Sequence, residues 1–298
     1  MFEEILTVNA FLATLRVAEP QSHKNLTIMP LMSDRTKDLR LKTLEEAIDT
    51  GDIDISEIDG GGSVPKLKIA NKGDVAVLIL QGSIIKANLQ DRAIKHNIIV
   101  FPHTVIEGDV FCIESQRWRP SNRKAYKSKS HLSSDIRMNF SKEDQSSVWR
   151  KIEEKRQRMG VRGETNSADY IYEAYQKELE EYKGAFVMKP EYSGIIGLIE
   201  GRPISISISG VKGIFNRQFG DLLSSLAIDA LDKIYCEEIR QHHPLTVEQF
   251  LSEVVGSGKA EHDAIGGRGI EFKGDKVLGG CLINNETVIQ LEAFMQVA

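Results

Sequence analysis

Between Lys66 and Ser115 the chain alternates short apolar runs with polar breaks. The runs include VAVLIL from Val75, NIIVF from Asn97 and DVFCI from Asp109. The breaks are Lys72-Gly73-Asp74, Gln90-Asp91-Arg92 and Glu107-Gly108-Asp109. Runs this short, rich in β-branched residues and punctuated by turn formers, predict strands of an antiparallel sandwich or barrel. The His96–Glu114 segment predicts two adjacent antiparallel strands joined by a turn at Glu107-Gly108-Asp109.

The pattern changes near residue 141. SKEDQSSVWRKIEEKRQRMG predicts a helix capped by Ser141 and stopped at Gly160. NSADYIYEAYQKELEEYKGAF places Ile171, Tyr175, Leu179, Tyr182 and Phe186 on one helical face. GIIGLIEGRPISISISG predicts a hairpin turning at Glu200-Gly201, and FNRQFGDLLSSLAIDALDKIY a helix with a wide apolar stripe. On that helix Asp229 is spaced to pair with Lys233. The last segment predicts further strands with Gly-Asp and Asn-Asn turns. At the other end, Ile5, Val8, Leu12 and Leu15 recur at helical spacing, so the N-terminus predicts a packed helix. The expected class is α+β, with a β-rich lobe over residues 1–140 and a mixed helical and hairpin lobe over 141–298, or one continuous domain.

Charge narrows the function. The 298 residues carry a net −5, which argues against general nucleic-acid binding. From Arg117 to Arg137 there are seven Lys or Arg and a single acid, Asp135, so the rest of the chain sits near −11. A local cationic tract in an acidic chain suits a compact anion. The longest apolar runs are too short to cross a bilayer. The three cysteines, Cys112, Cys236 and Cys281, form no CxxC and no disulfide framework, which points to a reducing cytoplasm.

No HExxH or other metal-ligand spacing is present, so no metal is expected. GSGKA at Gly256 lacks both the hydroxyl residue and the first glycine of a phosphate loop, and GGRG at Gly266 is not a dinucleotide fingerprint; both predict flexible turns, and no cofactor is expected. AEHDAIGG predicts a solvated loop. What remains is the polar island and the cationic tract. Arg92 and Arg117 can fork onto phosphate oxygens, Trp118 can stack on a base, and Gln90 can bond hydroxyls. Glu114 and Asp91 are the candidate general bases, and either could instead orient an arginine. The same residues also fit an edge-strand ion pair with Trp118 in the core, and the tract beyond Pro120 fits a mobile loop over Ser121–Ser134.

These residues carry a resemblance. PQSHKNLTIMPL, SVPKLKIANKGDVAVLILQGSI, Gln90-Asp91-Arg92, VFCIESQRW, SLAIDALD, GGRGIEF and QLEAF occur in an order similar to that of the ADP-ribosylglycohydrolase- and rhodanese-phosphatase-associated protein domain family, a domain of unknown function. The resemblance implies a link to ADP-ribose and NAD-derived metabolism, and it falls on Gln90, Arg92, Glu114, Arg117 and Trp118. The chain departs from the family at Gly82-Ser83, where Gly-Glu is usual, and at Ala87-Asn88-Leu89, where Gly-Ala-Lys is usual. The leading expectation is binding of a phosphate-bearing nucleotide such as ADP-ribose. A hydrolase acting on such a ligand is a second reading. A non-catalytic interaction or oligomeric protein, using the basic 117–137 loop to dock a partner or a second copy, is a third.

Overall fold

The computed structural model describes residues 3–58, 65–115, 117, 125–142, 144–241 and 245–296. The chain divides into two compact units. One joins Met1–Leu39 to Lys177–Ala298, and the other is Arg40–Gln176. The division expected at residue 140 falls inside the second unit, within the 3-10 turn Met138–Lys142. The class is α+β.

The first unit is built on a nine-stranded sheet. Its path runs Leu15–Val17, Leu26–Ser33, Gly194–Ile199, Arg202–Ile208, Thr287–Met295, Val277–Asn284, Gly267–Lys273 and Gly258–Ala264, with Gln21–His23 also paired to Leu26–Ser33. Every pair is antiparallel. The predicted hairpin turns where expected: Glu200 and Gly201 both take positive φ, 52° and 77°, as the tight turns that match strand twist require. GIIGLI is buried at every position, which is how a strand covered on both faces reads. One cover is the helices Glu3–Leu12 and Val247–Gly256, whose Val8, Phe11, Phe250 and Val254 pack with Ile196, Ile206 and Leu291. The other is the helix Ile214–Leu231: a Cβ on Gly197 would lie 2.3 Å from Leu226, so this glycine lets the helix close on the sheet.

Three expectations for this unit change. The N-terminal helix ends at Leu12, and Leu15 opens a strand instead of extending the helical face. The GSGKA and AEHDAIGG segments form the edge strand Gly258–Ala264. Its side chains are exposed or half-buried, which is why its sequence reads as loop. Lys259, the lysine of GSGKA, donates Nζ to the carbonyls of Val254, Val255 and Ser257, capping the helix before it. Asp229 is fully buried, whereas Lys233 is exposed on the next helix, Lys233–Gln241.

The second unit holds a six-stranded antiparallel sheet in the order Tyr126–His131, Ser83–Lys86, Arg92–Ile94, Thr104–Cys112, Lys66–Asn71 and Ile53–Glu57. Beside it, Ile98–Val100 and Leu41–Thr43 flank Ala76–Ile79, the latter pair parallel. Glu114–Ser115 pairs with Asn166–Ser167. The strand Thr104–Cys112 changes partners midway: Thr104 to Asp109 pair with Lys66–Asn71, and Val110 to Cys112 with Arg92–Ile94. That switch gives the sheet its barrel-like curl.

It also corrects the turn expected at Glu107-Gly108-Asp109, which lies inside this strand. Gly108 serves close approach, since a Cβ there would come within 3.0 Å of Ile69. The chain turns earlier, before Thr104, where His103 takes φ 55°. Ile98–Val100 and Thr104–Cys112 therefore belong to different sheets. The helix cap is Asp144, not Ser141: its carboxylate accepts from Ser146 and Ser147 N–H at 3.1 and 2.9 Å. The single helix expected after Asn166 is two, Asp169–Ala174 and Gln176–Ala185, broken at Tyr175. In the described part of Ser121–Ser134, Tyr126–His131 is a strand paired with Ser83–Lys86.

Candidate functional site

The polar island sits between the strands Ser83–Lys86 and Arg92–Ile94, against Glu114–Ser115. Glu114, 3% exposed, is the hub. Its Oε1 accepts from Arg117 Nε at 2.8 Å and Thr165 Oγ1 at 2.7 Å; its Oε2 accepts from Arg117 NH2 at 2.6 Å and Asp91 N–H at 2.9 Å. Burial alone would raise this carboxyl's pKa. The bonds from Arg117, Thr165 and the Asp91 backbone outweigh that and hold it below the ordinary range. Arg117 also donates to the carbonyls of Asn88 and Ala87, at 2.7 and 3.3 Å, and lies 3.4 Å from Asp91 Oδ1.

Asp91, 1% exposed, carries the network onward. Its Oδ2 receives Ser167 Oγ at 3.1 Å and Lys86 Nζ at 3.2 Å. Lys86 in turn lies 2.5 Å from Asp169 Oδ2 and 3.8 Å from Glu173 Oε1. Ser128 Oγ donates to Asp169 Oδ1 at 2.8 Å. Burial disfavours the Lys86 ammonium, yet Asp169 and Asp91 overcome it and raise its pKa. Glu173 is the opposite case. Burial, then the charge and hydrogen bond of Asp169, push its carboxyl up against the pull of Lys86. Its side chain is 58% exposed, whereas those of Asp169, Asp91 and Glu114 are at most 5% exposed.

The structure thus brings Asp91, Glu114, Arg117 and Gln90 together. Gln90 donates Nε2 to the Glu114 carbonyl at 2.9 Å, and its buried Oε1 has no donor among the described residues. Arg92 lies elsewhere in the hydrogen-bond pattern. Register sets it opposite Cys112, and its NH1 donates to Cys112 Sγ. It is 4% exposed, its Nε is unpartnered, and no carboxylate among the described residues lies within ion-pair distance of it. Arg92 and Arg117 share no partner among the described residues. Trp118 lies outside the described residues.

Lys86, Thr165, Ser167, Asp169 and Glu173 were not singled out from the sequence. Lys86 did carry a signal: it is the one charge in SIIKA, a run that otherwise packs into the core. Thr165 and Ser167 carried none, because their partners lie 51 and 76 positions away. Asp169 passes for an ordinary acid in a helix's first turn.

A second polar group in this unit surrounds Asp135. Lys155 and Arg158 each reach it at 3.2 Å, Lys151 at 3.8 Å and Ser133 Oγ at 2.7 Å. The one acid of the cationic tract is therefore the counter-ion of three cations spaced a turn apart on the helix Gln145–Arg158. Burial opposes its charge, and these cations outweigh it, holding the carboxyl well below the usual range. Among the described residues no three His, Cys, Asp or Glu are grouped to hold a metal ion. No helix among them is long and apolar enough to cross a membrane.

Compared with known families, residues 14–294 match the ARG and Rhodanese-Phosphatase-superfamily-associated Protein domain. The chain belongs to this family. No curated protein and no solved structure matches it. The match takes in both compact units, so the ARG and Rhodanese-Phosphatase-superfamily-associated domain includes the whole polar network as well as the sheet of the first unit.

Proposed function

We propose that the second unit binds a phosphate-bearing nucleotide, such as ADP-ribose or another NAD-derived metabolite. The observation that carries this reading is Arg92. A guanidinium cannot shed its proton, and taking one out of water costs several kcal/mol unless an anion compensates it. Arg92 is 4% exposed with a thiol for its polar contact. Burial raises the pKa of that thiol, against the opposing effect of Arg92, so the neutral form is favoured. A phosphate oxygen is the partner such a site is short of. Arg117, whose donors go to Glu114, Asp91 and two carbonyls, serves to hold the site's shape.

The network supports binding ahead of catalysis. A general base needs a lone pair and a pKa near the working pH. Glu114 accepts four hydrogen bonds and is held low, and both Asp91 oxygens are engaged. The family description joins the domain to the ARG and Rhodanese-Phosphatase superfamilies, and reading ARG as ADP-ribosylglycohydrolase supports a ligand from ADP-ribose metabolism in the cytoplasm. Titration calorimetry with ADP-ribose tests the proposal. Wild type should release heat and Arg92→Ala should lose most of the affinity. Equal or absent heats for both would sink the reading and leave a docking or self-associating protein in front.

A further inference from the structure

The first unit holds a cavity of about 600 Å³ with three walls. They are the helix Glu3–Leu12, the loop Asp34–Lys37, and the turn residue Glu286 with the start of the strand Thr287–Met295. Main-chain bonds tie the walls together. Lys37 N–H donates to the Gly210 carbonyl at 2.8 Å, and Gly210 N–H donates to that of Val288 at 2.8 Å. Phe11 anchors the helix by packing in the core with Val288 and Leu291. Asn285 and Glu286 both take positive φ, 46° and 55°, and Lys37 Nζ reaches their carbonyls at 3.5 and 3.4 Å. The volume falls within the ~300–1,000 Å³ typical of small-molecule sites.

Charge around this cavity is of both signs and unmatched. Arg35 and Lys37 bring cations from the loop, while Glu3 and Glu286 bring carboxylates from the other two walls. None of these four side chains is ion-paired with a described residue, whereas Asp34 on the same wall is taken by Arg16 at 2.5 Å. A plain anion would be repelled by the carboxylates, and a plain cation by Arg35 and Lys37; a ligand carrying both charges answers both. The helix adds apolar surface. Leu6, 65% exposed, and Ala10, four positions on and so on the same helical face, both line the cavity.

We propose that this cavity is a second binding site, for a small zwitterion with an apolar side chain: a neutral α-amino acid or a short apolar peptide with free ends. Arg35, whose guanidinium makes no hydrogen bond or ion pair with the described residues, forks onto the carboxylate. Glu286 and Glu3 take the ammonium, and Leu6 and Ala10 take the side chain. Lys37 holds the turn that presents Glu286. The site is independent of the nucleotide reading.

Calorimetry on the full chain with L-leucine and L-leucyl-L-leucine tests this. Wild type should bind at least one; leucine alone marks an amino-acid site, and the dipeptide alone a peptide site. Acetylating the ammonium of the bound probe, or converting its carboxylate to the amide, should each weaken it about tenfold, the worth of a hydrogen bond to a charged group. Arg35→Met should cost the free probe about tenfold and its amide nothing further. Glu286→Gln should do the same for the free and acetylated forms. Both side chains are exposed, so both variants should fold, which thermal melts check. Binding of neither zwitterion, capped probes bound as tightly as free ones, or variants indistinguishable from wild type would each overturn the assignment.

Discussion

Glu114 and Arg117, three positions apart, meet through two nearly parallel hydrogen bonds of 2.8 and 2.6 Å in the buried part of the second unit. Such a pair is costly to break from one side, because the survivor stays desolvated and unpaired. Glu114→Gln and Arg117→Met should each destabilise the protein by about 3–5 kcal/mol. The double variant should lose clearly less than the sum. Urea denaturation of the four proteins measures the coupling, and simple additivity would show that the pair does not act as a unit.

Acid should weaken the fold before the carboxylates titrate. His131 is fully buried; burial, then Arg137 and Lys127, hold its imidazole well below the ordinary 6.5, with the Gln81 backbone opposing. The unfolded chain therefore binds a proton near pH 6.5 that the folded chain refuses. Its stabilising contribution is complete above that pH and declines as pH falls, by about 1.4 kcal/mol per unit. Urea midpoints between pH 7.5 and 5 should show the decline, and His131→Gln should flatten it.

Base should act through the first unit. Burial, and then Cys236 and Glu181, raise the Tyr182 phenol from 10.0 to about 12, and its hydroxyl donates to Asn25 Oδ1 at 2.8 Å. The folded state keeps this proton longer than the unfolded state. Stability from this group is complete below pH 10 and is lost as pH rises toward 12. Near-ultraviolet tyrosinate absorbance should show a late phase that is absent in Tyr182→Phe.

Gly197 should tolerate no side chain. A Cβ there would lie 2.3 Å from Leu226 Cδ2, so Gly197→Ala must push the helix Ile214–Leu231 off the sheet or strain Leu226. A loss of about 1–3 kcal/mol is expected, partly recovered by Leu226→Ala in the same chain. Recovery would be read from thermal melts of the single and double variants.

These cases also show what the sequence could convey. The Glu200-Gly201 hairpin was legible because a tight turn demands particular backbone angles of its own two residues. Glu107-Gly108-Asp109 looked alike and is strand, because Gly108 answers to Ile69 on a neighbouring strand, which no local pattern reveals. In the site, Gln90, Asp91, Glu114 and Arg117 stood out as polar residues set among strand-forming ones. Lys86 and Asp169 did not, since each acquires its meaning only when residues 83 positions apart come within 2.5 Å. Arg92 was legible as a cation, but its isolation from carboxylates depends on the register that sets it opposite Cys112.

The discontinuity of the first unit bears on how the protein is made. Its strand Leu26–Ser33 is synthesised early, yet it pairs with Gly194–Ile199, and Ser193 Oγ bonds the Leu31 carbonyl 162 positions away. Arg40–Gln176 clears the ribosome before that partner does. The nascent chain can therefore complete its second unit first, while Leu26–Ser33 waits with one edge unpaired and open to wrong partners. Ribosome stalling once residue 176 has cleared the exit tunnel, with Gly194–Ile199 still inside it, should yield a protease-resistant Arg40–Gln176 preceded by a protease-sensitive segment, and circular permutation that begins the chain at residue 177 and joins residue 298 to residue 1 would let both halves of the nine-stranded sheet emerge together.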